Sequence, residues 1–184
     1  MSEFINNSEI VIETSIRIIL INSNKEILLM CADDESTKSR DGIYYGKFWF
    51  LIGGKVDDNE SLLEAAKREL FEETGIPAEK VVFGPIVWYG EFKMFLSGIL
   101  KHIDQKFIVA HIHGSANISK DYYTESEKKI IKAVEWFCLS KIKDYPELIY
   151  PVVLKDHLPP ILEGIYPEFP IWIDIGKQPN FNKK

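Results

Sequence analysis

The 184-residue sequence is short of cysteine, of excess positive charge and of long apolar runs, and each shortage removes a class of function. The two cysteines, Cys31 and Cys138, lie far apart with no C-x-x-C. That spacing excludes a Cys-rich zinc site and a disulfide framework, and with no basic neighbour evident both read as inert thiols. Lys and Arg total 22 against 28 Asp and Glu, a formal net charge of −6. A nucleic-acid binder wants a basic face, so no stable nucleic-acid partner is expected. Phosphate chemistry in such a chain needs local positive charge, which a bound metal can supply. No apolar run approaches the roughly 18 residues of a spanning helix, so no membrane association is expected. The acidic start has neither a basic segment nor a long apolar stretch after it, so a cytoplasmic protein is expected. The sequons at Asn6 and Asn117 then carry no weight.

What is present is ordinary globular composition, 46% hydrophobic and 27% charged, enough for one domain with a sizeable core. Residues 10–21 are rich in β-branched side chains and read as a strand, followed by turn chemistry at Asn22-Ser23-Asn24-Lys25. Glu26 to Met30 returns as its hairpin partner, and residues 32–46 form a polar loop. Lys47 to Ile52 reads as a short aromatic strand. Further strands are expected at 81–83, 86–96, 107–113 and 134–139, with a charged, partly helical stretch at 121–132. From residue 146 the texture changes to a Pro-rich remainder with a short helix near 151–163. The expected organisation is a main domain at 1–145 and an extension at 146–184 packing on it. Strands interspersed with a few helices give a mixed-sheet α/β or α+β domain.

Residues 54–76 concentrate the chemistry. Ser61 and Glu64 fit a capping box, and Gly75 followed by Pro77 fits a helix end, so a helix is expected between them. Glu69, Glu72 and Glu73 then fall at i, i+3 and i+4 and share one face. Three like charges near a helix C-terminus repel one another and oppose its dipole, an arrangement relieved by divalent cations. Clustered carboxylates with a backbone carbonyl make a hard, all-oxygen site suited to Mg²⁺ or Mn²⁺. Arg68 can pair with Glu60 or with the triad and fix a rotamer. Gly53-Gly54 lets the loop backbone approach closely.

This stretch resembles the Nudix box, G-x5-E-x7-R-E-U-x-E-E-x-G-U, with U a bulky aliphatic. Every fixed position matches: Gly54, Glu60, Arg68, Glu69, Leu70, Glu72, Glu73, Gly75 and Ile76. The resemblance implies a Nudix-type α/β/α sandwich with a mixed central sheet. It also implies a pyrophosphohydrolase that uses Mg²⁺ or Mn²⁺ on a nucleoside diphosphate linked to another moiety, with a (deoxy)nucleoside triphosphate as first guess. Mapped here, Glu69, Glu72, Glu73 and the Gly54 carbonyl are metal ligands, and the catalytic base is open among the three glutamates. Arg68 and Glu60 become a supporting pair. A later acidic residue often completes such sites; Glu125 and Glu127 are the candidates, with Glu127 taken into the ligand set. Homodimers are common in the family. A Nudix domain that only senses a nucleotide metabolite is the alternative, but such a domain tolerates loss of a box carboxylate and none is lost. An isoprenoid-diphosphate isomerase on the same fold would need a catalytic cysteine in a context that neither Cys31 nor Cys138 has. The residue before the glycines, commonly Pro, is Ile52. Pro85 and Tyr89 fall too early to support the ADP-ribose or dinucleoside-polyphosphate subgroups.

Among the aromatics Tyr44, Tyr45, Phe48 and Trp49, Tyr44 and Trp49 are the first candidates to stack on a base, against ordinary core roles. Arg17, amid isoleucines, either lies on an open face or reaches a phosphate. Lys55 and Lys47 flank the box; Lys55 is the phosphate candidate. His111 and His113 alternate on a strand without a third ligand and read as strand-end residues.

Overall fold

A computed structural model of the chain describes residues 12–96, 99–114 and 117–179. Residues 10 and 11 of the expected first strand, Asn6 and residues 180–184 of the extension lie outside the described residues.

The β-branched run forms β1, Ile12–Ile21, which turns through Asn22 into β2, Ile27–Ala32. The Asn22 Oδ1 accepts the backbone N–H groups of Asn24 and Glu26, the local bonding that makes Asn a turn residue. β1 and β2 meet at one register pair, Ile21 with Ile27, and then diverge into two arms of one sheet. In one arm β5, Ile99–Ile112, runs parallel to β1, and β4, Val81–Leu96, runs antiparallel to β5. In the other, β2 is flanked by β3, Phe48–Leu51, and β6, Ile131–Phe137, both antiparallel to it.

β4 and β5 are longer than the sequence suggests. Gly84-Pro85 does not end the strand; the register shifts between Phe83 and Ile86 and the ladder resumes. The polar start of β5 hides its strand character because its charges are paired across strands: Lys101 with Glu13, and His102 Nε2 with Glu91 at 3.0 Å.

The box helix is α1, Leu62–Thr74. The Ser61–Glu64 capping box is complete, and Gly75 closes the helix at φ 70°. Its buried Ala65, Ala66 and Leu70 cover one face of the sheet against Ile16, Ile18 and Leu20. A second capping box, Thr124 with Glu127, starts α2, Glu125–Ile130.

The other face is covered by two helices, the first without a clear sequence signal and the second the short helix expected near 151–163. These are α3, Leu139–Asp144, and α4, Leu154–Leu162, whose Pro159 and Pro160 fall toward its end. Leu154, Leu158 and Ile161 of α4 pack on Ile19, Ile21 and Phe137. β7, Leu148–Tyr150, extends the sheet beside β3, and β8, Ile171–Trp172, adds a parallel edge to β4. Helices on both faces of a mixed sheet make the α/β sandwich expected from the sequence.

Candidate active site

The loop entering α1 is tied to β1. Ile16 N–H donates to the Gly54 carbonyl at 2.9 Å and Ile18 N–H to Ile52 at 2.9 Å. Arg17, between those two donors, directs its guanidinium at the same loop and donates to the Gly53 carbonyl and, at 3.2 Å, to that of Leu51. Gly53 returns its N–H to Glu73 Oε2 at 2.6 Å. Arg17, Gly53 and Glu73 thus form one connected group, and the Arg17 guanidinium also sits 5.5 Å from the Phe50 ring centre. Gly54 lies against the carboxylate of Glu69: a Cβ there would stand 2.4 Å from Glu69 Oε1.

Arg68 organises the other side. It holds Glu60 with Nε and Nη2, both at 2.9 Å, reaches Glu69 at 2.7 Å and Glu72 at 3.2 Å, and donates to the Lys55 carbonyl at 2.9 Å. A planar guanidinium is suited to bridging several carboxylates at once. The consequences are opposite for its partners. Hydrogen bonding from Arg68 holds the Glu60 carboxyl below its usual range. Burial pushes Glu69 up, against the pull of Arg68. Glu73 is pushed up to about 8, first by burial, with Arg17 and the Gly53 N–H opposing.

The donor set here is entirely oxygen, three carboxylates on one helical face beside the Gly53-Gly54 backbone, and its chemistry fits a hard divalent cation. Glu69 and Glu72 are turned to Arg68 and Glu73 to Gly53. Accordingly, among the described residues no three His, Cys, Asp or Glu side chains converge on a point.

A cleft of about 450 Å³ opens beside this loop. Arg17, Gly53, Glu73 and Glu127 line its charged end. Glu127 is therefore placed across from Glu73, although its Oε2 also accepts from the Thr124 N–H and hydroxyl, both at 2.7 Å. Glu125 is exposed, pairs with Lys128 at 2.7 Å and does not line the cleft. Tyr44 lines the cleft with its hydroxyl on Asp33.

Two residues read as substrate contacts are elsewhere. Trp49 is 3% exposed, donates to Glu147 at 2.7 Å and packs on Phe137 and Tyr145. Lys55 is exposed and does not line the cleft; it offers Arg68 its backbone carbonyl. The sequence reading overlooked Phe50, Tyr150 and Gln105, which do line it, and ranked Phe48 too low. Strand alternation was the available signal: Phe48 and Phe50 must share a face that Trp49 does not. Their rings lie 5.6 Å apart, with Tyr150 5.8 Å from Phe48.

The NUDIX domain family model matches residues 12–155. An RNA pyrophosphohydrolase of Bartonella henselae is 32% identical over 93 residues, covering 48% of this chain and 50% of that protein. The chain spans half or less of the length of the curated relatives it matches. Among solved structures, a MutT protein from Methanosarcina mazei superposes with a TM-score of 0.55 at 25% identity, over 85% of this chain and 96% of that one. A Caenorhabditis elegans Ap4A hydrolase complex gives 0.54 at 20% identity, over 83% and 98%, and shares the fold. Among the described residues no helix is long and apolar enough to cross a membrane.

Proposed function

The chain belongs to the Nudix family, and from that premise we propose that it is a pyrophosphohydrolase dependent on Mg²⁺ or Mn²⁺. Its proposed substrate is a nucleoside diphosphate linked to another moiety, with a (deoxy)nucleoside triphosphate, cleaved to the monophosphate and pyrophosphate, as the first choice. The observation that carries this reading is the complete box, folded so that Glu73 and Glu69 flank Gly53 and Gly54, with Glu73 at the charged end of a cleft of about 450 Å³, a size suited to a nucleotide.

Glu69, Glu72, Glu73 and the Gly54 carbonyl would hold the cation. When bound, it neutralises the diphosphate and makes an attacking water more acidic. The protein's own part is positional and protonic. Glu60 and the Lys55 carbonyl fix Arg68, which in turn holds the carboxylates of Glu69 and Glu72. Arg17 fixes the loop carbonyls and sets a positive charge beside Glu73. One of Glu69, Glu72 and Glu73 takes the proton from water. The two cysteines are free, Cys31 buried and Cys138 partly so, which suits a cytoplasmic, reducing setting.

The raised Glu73 gives a signed pH effect. Its ordinary value is 4.5 and its folded value about 8, so the fold favours the protonated carboxyl. That contribution is complete below about pH 4.5 and is lost as pH rises through about 8. In EDTA, the melting temperature is expected to fall between pH 5 and 8. Divalent cation needs the ionised carboxylate and releases its proton, so stabilisation by Mg²⁺ should grow over the same interval. Thermal unfolding at matched pH values, with EDTA and with Mg²⁺, checks both slopes. A cation effect independent of pH would remove Glu73 from the ligand set.

The function is tested by product-resolved turnover with Mg²⁺ and with Mn²⁺. The panel holds canonical and oxidised nucleoside triphosphates, ADP-ribose, NADH, dinucleoside polyphosphates, nucleotide sugars and a 5′-triphosphorylated oligoribonucleotide. Release of monophosphate and pyrophosphate from a triphosphate is the expected result. The oligonucleotide is included because of the RNA pyrophosphohydrolase relatives, although the net charge of −6 disfavours a long RNA. No turnover on any member, with tight nucleotide binding, would overturn catalysis and leave a nucleotide sensor.

A further inference from the structure

Beyond its charged end, the cleft has a floor and a roof with their own chemistry. The floor is one row across three strands: Ser15 of β1 faces Gln105 of β5, which faces Gly90 of β4. Directly paired residues present their side chains on the same face. Gln105 is only 6% exposed, yet it lines the cleft. Its Nε2 donates to Ser15 Oγ at 3.1 Å, and its Oε1 has no hydrogen-bond partner among the described residues. No sealed polar side-chain atom among these residues lacks a partner, so that oxygen is open to the cleft. A carboxamide in this position is costly to bury unless something donates to it.

The roof is the C-terminal strap. Ile173 N–H donates to the Tyr89 carbonyl at 2.9 Å, which seats the chain along β4, and Ile173 and Ile175 are buried. Gly90 makes this approach possible: a Cβ there would stand 2.5 Å from the Ile173 carbonyl oxygen and 2.9 Å from Ile175 Cγ1. The strap then passes over Phe92, and Gly176, Lys177 and Gln178 form the wall facing the aromatic side of Phe48, Phe50 and Tyr150. The strap lies beyond residue 155, where the family match ends.

We propose that Gln105, roofed by the strap at 173–178, reads a hydrogen-bond donor on a planar ring held in this slot, so that the non-phosphate part of the ligand is a nucleobase selected through its N–H edge. One ring of the aromatic wall supplies stacking, the apolar strap excludes water, and the Gln105 oxygen accepts from a ring N–H or an exocyclic amino group. This rests on the nucleotide reading of the site but not on hydrolysis.

The test is calorimetric binding of AMP, GMP, CMP and UMP, with ribose 5-phosphate as the base-free probe, to the full chain and to Gln105→Met. Methionine keeps the length and removes the acceptor. For the nucleotide that binds tightest, Gln105→Met should lose about tenfold, the factor expected for one neutral hydrogen bond in a closed site. Differences among the four should shrink, and ribose 5-phosphate should bind both proteins alike. The N-methylated analogue of the preferred base should repeat the loss on the unaltered protein. Gly176→Leu is the second variant. A Cβ there meets Glu91 O at 3.4 Å and Phe92 Cβ at 3.5 Å, ordinary contacts that leave room for folding, and the rest of the leucine adds bulk to a residue of the cleft wall. It should weaken every nucleotide and spare ribose 5-phosphate. Unchanged ranking in Gln105→Met overturns the proposal, as does failure of all four nucleotides to outbind ribose 5-phosphate. Base-selective binding without turnover overturns the hydrolase reading alone. Turnover whose base preference ignores Gln105→Met overturns this one alone.

Discussion

Glu73→Gln is expected to lower turnover by on the order of 10³-fold while leaving the fold intact, because several kcal/mol of charge stabilisation depends on the lost carboxylate. The substitution is nearly isosteric. Glutamine's carbonyl can still accept the Gly53 N–H that now bonds Glu73 Oε2 at 2.6 Å. Burial already pushes the Glu73 carboxyl up to about 8, so a neutral amide suits the metal-free site at least as well as an ionised glutamate. In EDTA at pH 8 the variant should therefore melt no lower than the unaltered protein. Its stabilisation by Mg²⁺ should be lost with the activity. Glu125→Gln is the control: its side chain is exposed, paired with Lys128 and away from the cleft, and turnover should not change. Turnover of Glu73→Gln within tenfold of the unaltered protein would move the essential charge to Glu69 or Glu72.

The box is largely legible in the sequence because it is local. Capping residues, helix period and the i, i+3, i+4 carboxylates all act within a few turns of one helix, and α1 forms where they direct it. The Arg68–Glu60 pair follows from the same short range. The cleft beyond the box was less legible because its walls come from distant segments. Trp49 and Phe50 are adjacent and both aromatic, and only the pairing of β3 with β2 sends one to the core and the other to the cleft. Gln105 gives no local sign of its place, which depends on Ser15 ninety positions earlier. The strap shows only a short alternation, Ile171, Ile173 and Ile175, between Pro170 and Pro179, and nothing local says which strand it joins; its position is set by Gly90, where a missing side chain admits the backbone. Arg17 shows the intermediate case. A charge within an apolar strand signals a partner, but the partners are the Gly53 and Leu51 carbonyls, groups that no residue type reveals.

Gly53→Ala is expected to destabilise the protein by about 3 kcal/mol, the sum of a strained backbone and an unrelieved clash. For a domain of this size that is a fall of roughly 6–12 °C in melting temperature. Gly53 holds φ at 125°, a conformation closed to residues with a Cβ. An added Cβ would stand 2.2 Å from the Ile16 carbonyl oxygen and 3.0 Å from Arg17 Cα, both backbone atoms of the central strand β1. Neither can move aside without disturbing the Ile16–Gly54 and Ile18–Ile52 hydrogen bonds that dock the loop. The same shift would take the Gly53 N–H from Glu73 and its carbonyl from Arg17, so activity should fall with stability. Gly54→Ala separates the two effects. Its Cβ would meet Glu69 Oε1 at 2.4 Å, the end of a side chain that can rotate away. That variant should melt near the unaltered protein and still lose turnover, because the carboxylate is displaced from the loop. Thermal unfolding and turnover measured on both variants check the pair. Equal melting of Gly53→Ala and the unaltered protein would mean that the loop is not clamped on β1, and the proposed placement of the carboxylates would fail with it.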